Sequence, residues 1–247
     1  MDEVNRHDAT WVPGCIRRGE PVIRRIFDIL GGAGCFIAGG FARYACSPHP
    51  SPVPAGDIDL YCLTPDAFEP ARRALLKAGL TQTKDTTASL SFRDKRFFLF
   101  RKFNQVIQLA KPLTFGDITL FGEPVPVLSV ADFSVTQVAI MNSGTVVQHR
   151  CFEDDELCRR VSLQSIPCPV EAIYRLWKYA GKGYQIPAAE LVKVLDDWET
   201  KPADYKEAIR GLVKGKGGLN VGARELLARR VHGRREVVGV AKTGKNG

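Results

Sequence analysis

The chain's 247 residues are enough for a buried core in one large domain or two small ones. Hydrophobic residues at 45% and charged residues at 25% are globular values and exclude a disordered or fibrous chain. The net charge of +8 lies wholly in the last quarter, since residues 1–200 hold 23 basic and 23 acidic side chains while residues 201–247 hold 12 Lys and Arg against Asp204, Glu207, Glu225 and Glu236. That asymmetry predicts either a contact with a polyanion such as nucleic acid or a solvated basic tail. No apolar run approaches the ~20 residues of a membrane span, so no membrane is expected. The polar, acidic start MDEVNRHDATW argues against a secretory signal. Seven scattered cysteines without a CxxC fit a reducing cytosol better than zinc or disulfides, and a cytoplasmic protein is expected.

Residues 1–19 lack periodicity and read as an irregular extension. Val22, Ile23, Ile26, Phe27 and Leu30 then fall at helical spacing, and the glycines at 31, 32 and 34 end that helix in a turn. A short apolar strand follows (Phe36, Ile37, Ala38), then Gly39-Gly40 and a helix start carrying Arg43. A loop with prolines at 48, 50, 52 and 54 leads to a second strand, Asp57-Ile58-Asp59-Leu60-Tyr61. Alternate residues of a strand share a face, so Asp57 and Asp59 point one way while Ile58 and Leu60 point into the core. Two same-face carboxylates repel each other, and a divalent cation resolves the repulsion. Mg²⁺ is usually held by one or two carboxylates together with substrate phosphates. Glycines without Cβ let the backbone approach a triphosphate, and the N–H groups of the following helix start would face it. A hairpin with two solvated aspartates is the structural alternative.

Beyond this strand, residues 65–79 form an amphipathic helix stopped by Gly79. Residues 89–92, 96–103 and 105–110 read as consecutive antiparallel strands, with the phenylalanines at 97, 98, 100 and 103 as core. Gln108 stands in an apolar strand setting, and Asp117 and Glu123 lie in the turns after it. Asp132 precedes FSVTQVAIM, where it fits a helix N-cap. Residues 142–144 make a turn and 145–149 a strand. CFEDDELCRRV, residues 151–161, suits a helix with acids at its start and bases at its end. Helices follow from about Val170, over residues 187–198 and over 204–213. Trp177 and Tyr179 read as helix-packing residues, and ARELLARRVHGRREVV as a basic helix before a flexible end.

At Gly39, Gly40, Arg43, Asp57 and Asp59 the chain resembles the GGxxR…DhDh signature of the DNA-polymerase-β-type nucleotidyltransferase superfamily. Within it, the likeness is to the head domain of poly(A) polymerases and CCA-adding enzymes. Asp132 to Val135 resembles the DFTI core of that family's RRDFTINA motif, and residues 173–186 its neck segment. The resemblance implies an α+β fold, a mixed sheet flanked by helices with a small helical region after it. Residues 20–150 would be the catalytic domain, 151–213 a helical neck and 214–247 a basic tail. It implies a Mg²⁺ or Mn²⁺ cofactor on Asp57 and Asp59. Nucleotide would be bound by Gly39, Gly40, Arg43, Asp132, Ser134, Arg175 and Lys178. The implied activity is transfer of a nucleoside monophosphate from a nucleoside triphosphate such as ATP to a hydroxyl. The acceptor would be an RNA 3′ end of tRNA type that reaches the basic C-terminal region. A protein or small-molecule acceptor, or binding without turnover, is the alternative. The chain departs from the family at Tyr44, where an acid is common, and at Val130 and Ala131, which replace arginines. Gln108 stands where a third acid is expected, leaving Gln108, Asp117 and Glu123 as candidates for the third ligand. The family's base-reading acid and arginine would fall on Cys168, Pro169 and Ala172, which cannot do that work.

Overall fold

The computed structural model describes residues 10–94, 106–115 and 118–214. The strands 96–103, the phenylalanines within them, Asp117 and the basic tail expected from the sequence therefore lie outside the described residues. In chain order the elements are β1 (Trp11–Gly14), α1 (Glu20–Leu30), β2 (Cys35–Ala38), α2 (Gly39–Cys46), β3 (Asp57–Cys62) and α3 (Phe68–Lys77). β4 (Leu80–Asp85), β5 (Ser89–Asp94), β6 (Val106–Ala110), β7 (Thr114–Phe115), β8 (Ile118–Thr119) and α4 (Pro124–Ser129) come next. β9 (Val138–Met141), β10 (Val146–His149), α5 (Phe152–Leu157), α6 (Pro169–Ala180), α7 (Ala188–Thr200) and α8 (Ala203–Lys214) are the last among the described residues. The fold is α+β. Its centre is an eight-stranded mixed sheet in the order β1-β10-β9-β2-β3-β6-β5-β4. No helix among the described residues is long and apolar enough to cross a membrane.

The sheet is antiparallel except where β3 runs parallel to β6. A parallel neighbour needs a long crossover. Here α3 carries the chain from β3 to the far edge at β4, and the β4–β5 hairpin brings it back to β6. Alternation divides the two faces. Ile37, Ile58, Leu60, Ile107 and Leu109 pack with α1, α2 and α3 in the main core. Phe36 and Ala38 face the other way, against Val127 and Leu128 of α4. Asp57 and Asp59 alternate with the buried Ile58 and Leu60 and so lie on this second face.

Three local expectations are corrected. Residues 11–14 are not irregular but pair with β10 at the sheet edge. FSVTQVAIM is not a helix: a 3-10 turn at Ser134–Thr136 leads into β9, which fills the gap between β2 and β10. Asp132 is therefore no helix cap. The acids of residues 151–161 do more than match a helix dipole, because Asp155 and Glu156 are turned into the interior.

Glu156 meets Arg43 there. Both side chains are buried, 3.5 Å apart. The Arg43 guanidinium also donates to the Tyr184 hydroxyl at 2.9 Å and to the Val53 carbonyl at 2.6 Å, and Tyr184 donates in turn to Glu156. Arg18 donates to the carbonyls of Ser47 and His49, and Arg159 to that of Ser51. The proline-rich loop between α2 and β3 is thus held through its carbonyls by three arginines. Breaking a buried ion pair from one side leaves an uncompensated charge and costs about 3–5 kcal/mol. Glu156→Gln is expected to lose roughly that much in urea unfolding. The double variant Arg43→Met/Glu156→Leu should lose less than the single one. Equal losses would show that the pair is not coupled.

Candidate active site

The site forms where β2 ends and α2 begins. β2 and β3 place Ala38 opposite Asp59, so the next residue, Gly39, starts α2 directly over the carboxylates. Gly39 has φ +68, and a Cβ there would lie 2.8 Å from Asp59 Oδ2. Glycine is required twice, for the left-handed backbone and for the close approach. A Cβ on Gly40 would come within 4.0 Å of Asp57 Oδ1. The N-cap residue of α2, Ala38, offers no side-chain hydrogen bond to the first N–H groups of the helix. This helix start, of the kind that binds anions, thus lies beside two acids.

The parallel register puts Gln108 beside Asp59. Its amide Nε2 donates to Asp57 Oδ2 at 2.7 Å. Gln108 thus sits with the two acids, where the sequence placed it. Glu123 does not: it follows Phe121 and Gly122, which bridge to Cys62 at the opposite end of β3. Burial pushes the Asp59 carboxyl up to about 7, with the Asp57 charge adding to the rise, while Lys178 and Arg175 pull it back. A buried carboxyl beside a second acid has its ionised form disfavoured, and a nearby positive charge would favour it. Asp57, Asp59 and the amide oxygen of a reoriented Gln108 fit a hard divalent ion. Among the described residues no group of three or more His, Cys, Asp or Glu side chains suits a metal.

α6 supplies the opposing charges. Arg175 Nη1 donates to Asp132 Oδ2 at 2.5 Å, and its Nη2 lies 3.7 Å from Glu171 Oε2. Burial pushes Asp132 up, and Arg175 pulls it down. Lys178 lies on the same helix, and Lys182 just past its end sits 5.0 Å over the Tyr179 ring. Burial pushes the Lys182 ammonium down, as do the charges of Arg43 and Lys178, while Asp57 opposes them. Asp132, Arg175, Lys178, Gly39, Gly40 and the two acids therefore converge.

Two expected nucleotide contacts are corrected. Arg43 is fully buried in the ion pair described above and cannot reach a phosphate. Ser134 is also fully buried, its hydroxyl donating to Asp155 Oδ2 at 2.5 Å. Sequence reading missed Glu171, an acid one helical turn before Arg175, because the family's motif placed the acid–arginine pair elsewhere. Tyr179 is buried as expected, but Trp177 is 73% exposed.

No family model matches the chain, and no curated protein matches it. Among solved structures it is similar to the CCA-adding enzyme of Thermotoga maritima complexed with tRNA, at 16% identity and a TM-score of 0.49, over 89% of this chain and 54% of that one. A CCA-adding enzyme with CTP is similar at 15% identity and a TM-score of 0.49, over 89% and 55%. A tRNA nucleotidyltransferase complexed with a primer tRNA and an incoming ATP analogue is similar at 14% identity and a TM-score of 0.49, over 70% and 50%. The chain spans about half the length of these proteins.

Proposed function

We propose that this chain transfers a nucleoside monophosphate from a nucleoside triphosphate to an acceptor hydroxyl, most simply an RNA 3′ end. One observation carries the reading: two acids on one strand face lie against an uncapped Gly-Gly helix start, with the cations of α6 opposite. A bound Mg²⁺ or Mn²⁺ on Asp57 and Asp59 would neutralise triphosphate charge and lower the pKa of the attacking hydroxyl. The N–H groups at Gly39, Gly40 and Phe41 take the phosphate oxygens, replacing the role first given to Arg43. Lys178 and Lys182 offset the remaining negative charge. Arg175 is oriented by Asp132 and Glu171, so its guanidinium keeps a fixed attitude toward the nucleotide. Such transfer is mainly positioning and charge neutralisation, which is why no nucleophile or His triad is needed. The basic surplus after residue 200 favours a polyanionic acceptor over a small molecule.

A second reading, nucleotide binding without turnover, draws on Gln108. A neutral amide bonded to Asp57 supplies less charge than a third acid would. Incubation with Mg²⁺ and each labelled nucleoside triphosphate, offering total RNA and a protein lysate, tests the two. Label in RNA supports transfer, and retained nucleotide without labelled product supports binding alone.

Three outcomes are expected. Asp57→Asn and Asp59→Asn should each lower transfer by at least about 10²–10³-fold, the scale for losing one charge-stabilising group. Wild-type turnover in either removes the site from the chemistry. Gln108→Glu should raise the rate without tightening nucleotide binding, read as kcat against KM; an unchanged rate means that Gln108 is not a metal ligand. The last concerns pH. Without added Mg²⁺, Asp59 holds its proton in the folded chain up to about 7. The unfolded chain releases it near ~3.9, so stability should fall as pH rises between those values. Asp59→Asn should therefore match wild type in Tm near pH 4 and exceed it at pH 8. A gap that does not widen with pH would remove the electrostatic account.

A further inference from the structure

Tyr174 and Trp177 of α6 are 57% and 73% exposed, although both are large aromatics. Their ring centroids lie 6.3 Å apart at an interplanar angle of 46°. Contiguous exposed apolar surface, unlike single exposed residues, marks interaction sites. Helical geometry says which side they adjoin. At 3.6 residues per turn, Tyr174 lies about 40° around α6 from Lys178, and Trp177 about 60° beyond Tyr174. Going round the helix, the order is Trp177, Tyr174, Lys178, Glu171, Arg175. The aromatic pair is therefore continuous with the cationic strip that faces Asp57 and Asp59.

We infer that Tyr174 and Trp177 form a stacking platform for unpaired bases of a single-stranded RNA whose 3′ end enters the site over Lys178. Single-strand sites combine a basic track for the backbone with aromatic faces for the bases. Both parts are present on one helix. Cores of protein–protein interfaces are depleted of lysine, and here Lys178 adjoins Tyr174 on the helix surface. The exposed Leu191, Val192 and Leu195 of α7 have Asp196 and Glu199 on the same helix and are not part of the platform. The inference rests on the nucleotidyl-transfer reading for the direction in which the strand lies, while its binding can be measured without turnover.

The probe is a single-stranded oligoadenylate RNA of about a dozen nucleotides, followed by tryptophan emission and by anisotropy of a labelled copy. Trp177 is the most exposed of the chain's three tryptophans, since Trp11 and Trp198 are half-buried. Wild type should show quenched emission on binding. Trp177→Ala and Tyr174→Ala should each weaken binding by about 5- to 150-fold, the scale of one stacked base. Trp177→Phe should restore most of the affinity. The salt slope should stay unchanged in all three, because no phosphate contact is lost. Asp57→Asn should keep the quench while losing transfer, so the platform and the chemistry fail separately. Unquenched emission, or wild-type affinity in Trp177→Ala, overturns the inference. A wild-type dimer that Trp177→Ala makes monomeric, with RNA affinity untouched, would also overturn it and assign the face to a second copy of the chain.

Discussion

A guanidinium with no exposed surface fixes how the two parts of this molecule meet. Taking such a charge out of water costs several kcal/mol unless its partners are charged and correctly placed. Arg43 finds them in three places: Glu156 at the end of α5, Tyr184 beyond α6, and the Val53 carbonyl in the proline-rich loop. Prolines donate no N–H, so a loop rich in them exposes carbonyls that want donors. Arginine, with its fork of donors, suits that need better than lysine. The segment bearing α6 is thereby tied to the helix that starts at Gly39. That tie acts together with the Arg175–Asp132 pair and the buried cluster of Phe133, Val135, Leu176 and Tyr179 to bring the cations of α6 to the acids of β3.

The second constraint is repulsion. Asp57 and Asp59 share a strand face, and the structure relieves their mutual charge only in part, through the Gln108 amide and the more distant cations of α6. The fold retains an arrangement that weakens it at neutral pH. Strain of this kind clusters at functional sites, where a ligand removes it. Gly39 belongs to the same compromise, since any side chain there would collide with Asp59.

Much of this was legible in the sequence. The apolar spacing of α1, the alternation of β3 and the Gly-Gly pair before α2 each carry a local signal. So do α6, whose start falls within a residue of the sequence reading, and α7 and α8, whose ends fall within a residue or two of it. What was not legible depended on distant partners. β1 is four residues with a proline, and β4 (LTQTKD) is an edge strand with one buried residue, so neither alternates. The run VAIM in β9 is too short to distinguish strand from helix by period. Arg43 reads as a phosphate ligand because its motif supplies one, and its burial is explained only by distant partners, Glu156 and, 141 positions later, Tyr184. Trp177 looked like core because apolar residues at helical spacing usually are.

The distances along the chain have a consequence for how the protein is made. Gln108 reaches Asp57 across 51 residues, Arg175 reaches Asp132 across 43, and Tyr184 reaches Arg43 across 141. Contacts of such separation form late, after local helices and hairpins, because their loops must close first. During synthesis the acids of β3 are complete long before residue 184 leaves the ribosome. Until then Arg43 lacks Tyr184, and for most of that time Glu156 as well. The nascent sheet is therefore left with a displaced cation and an open loop while the rest of the chain is made, which is when chaperones and proteases have their best access to it.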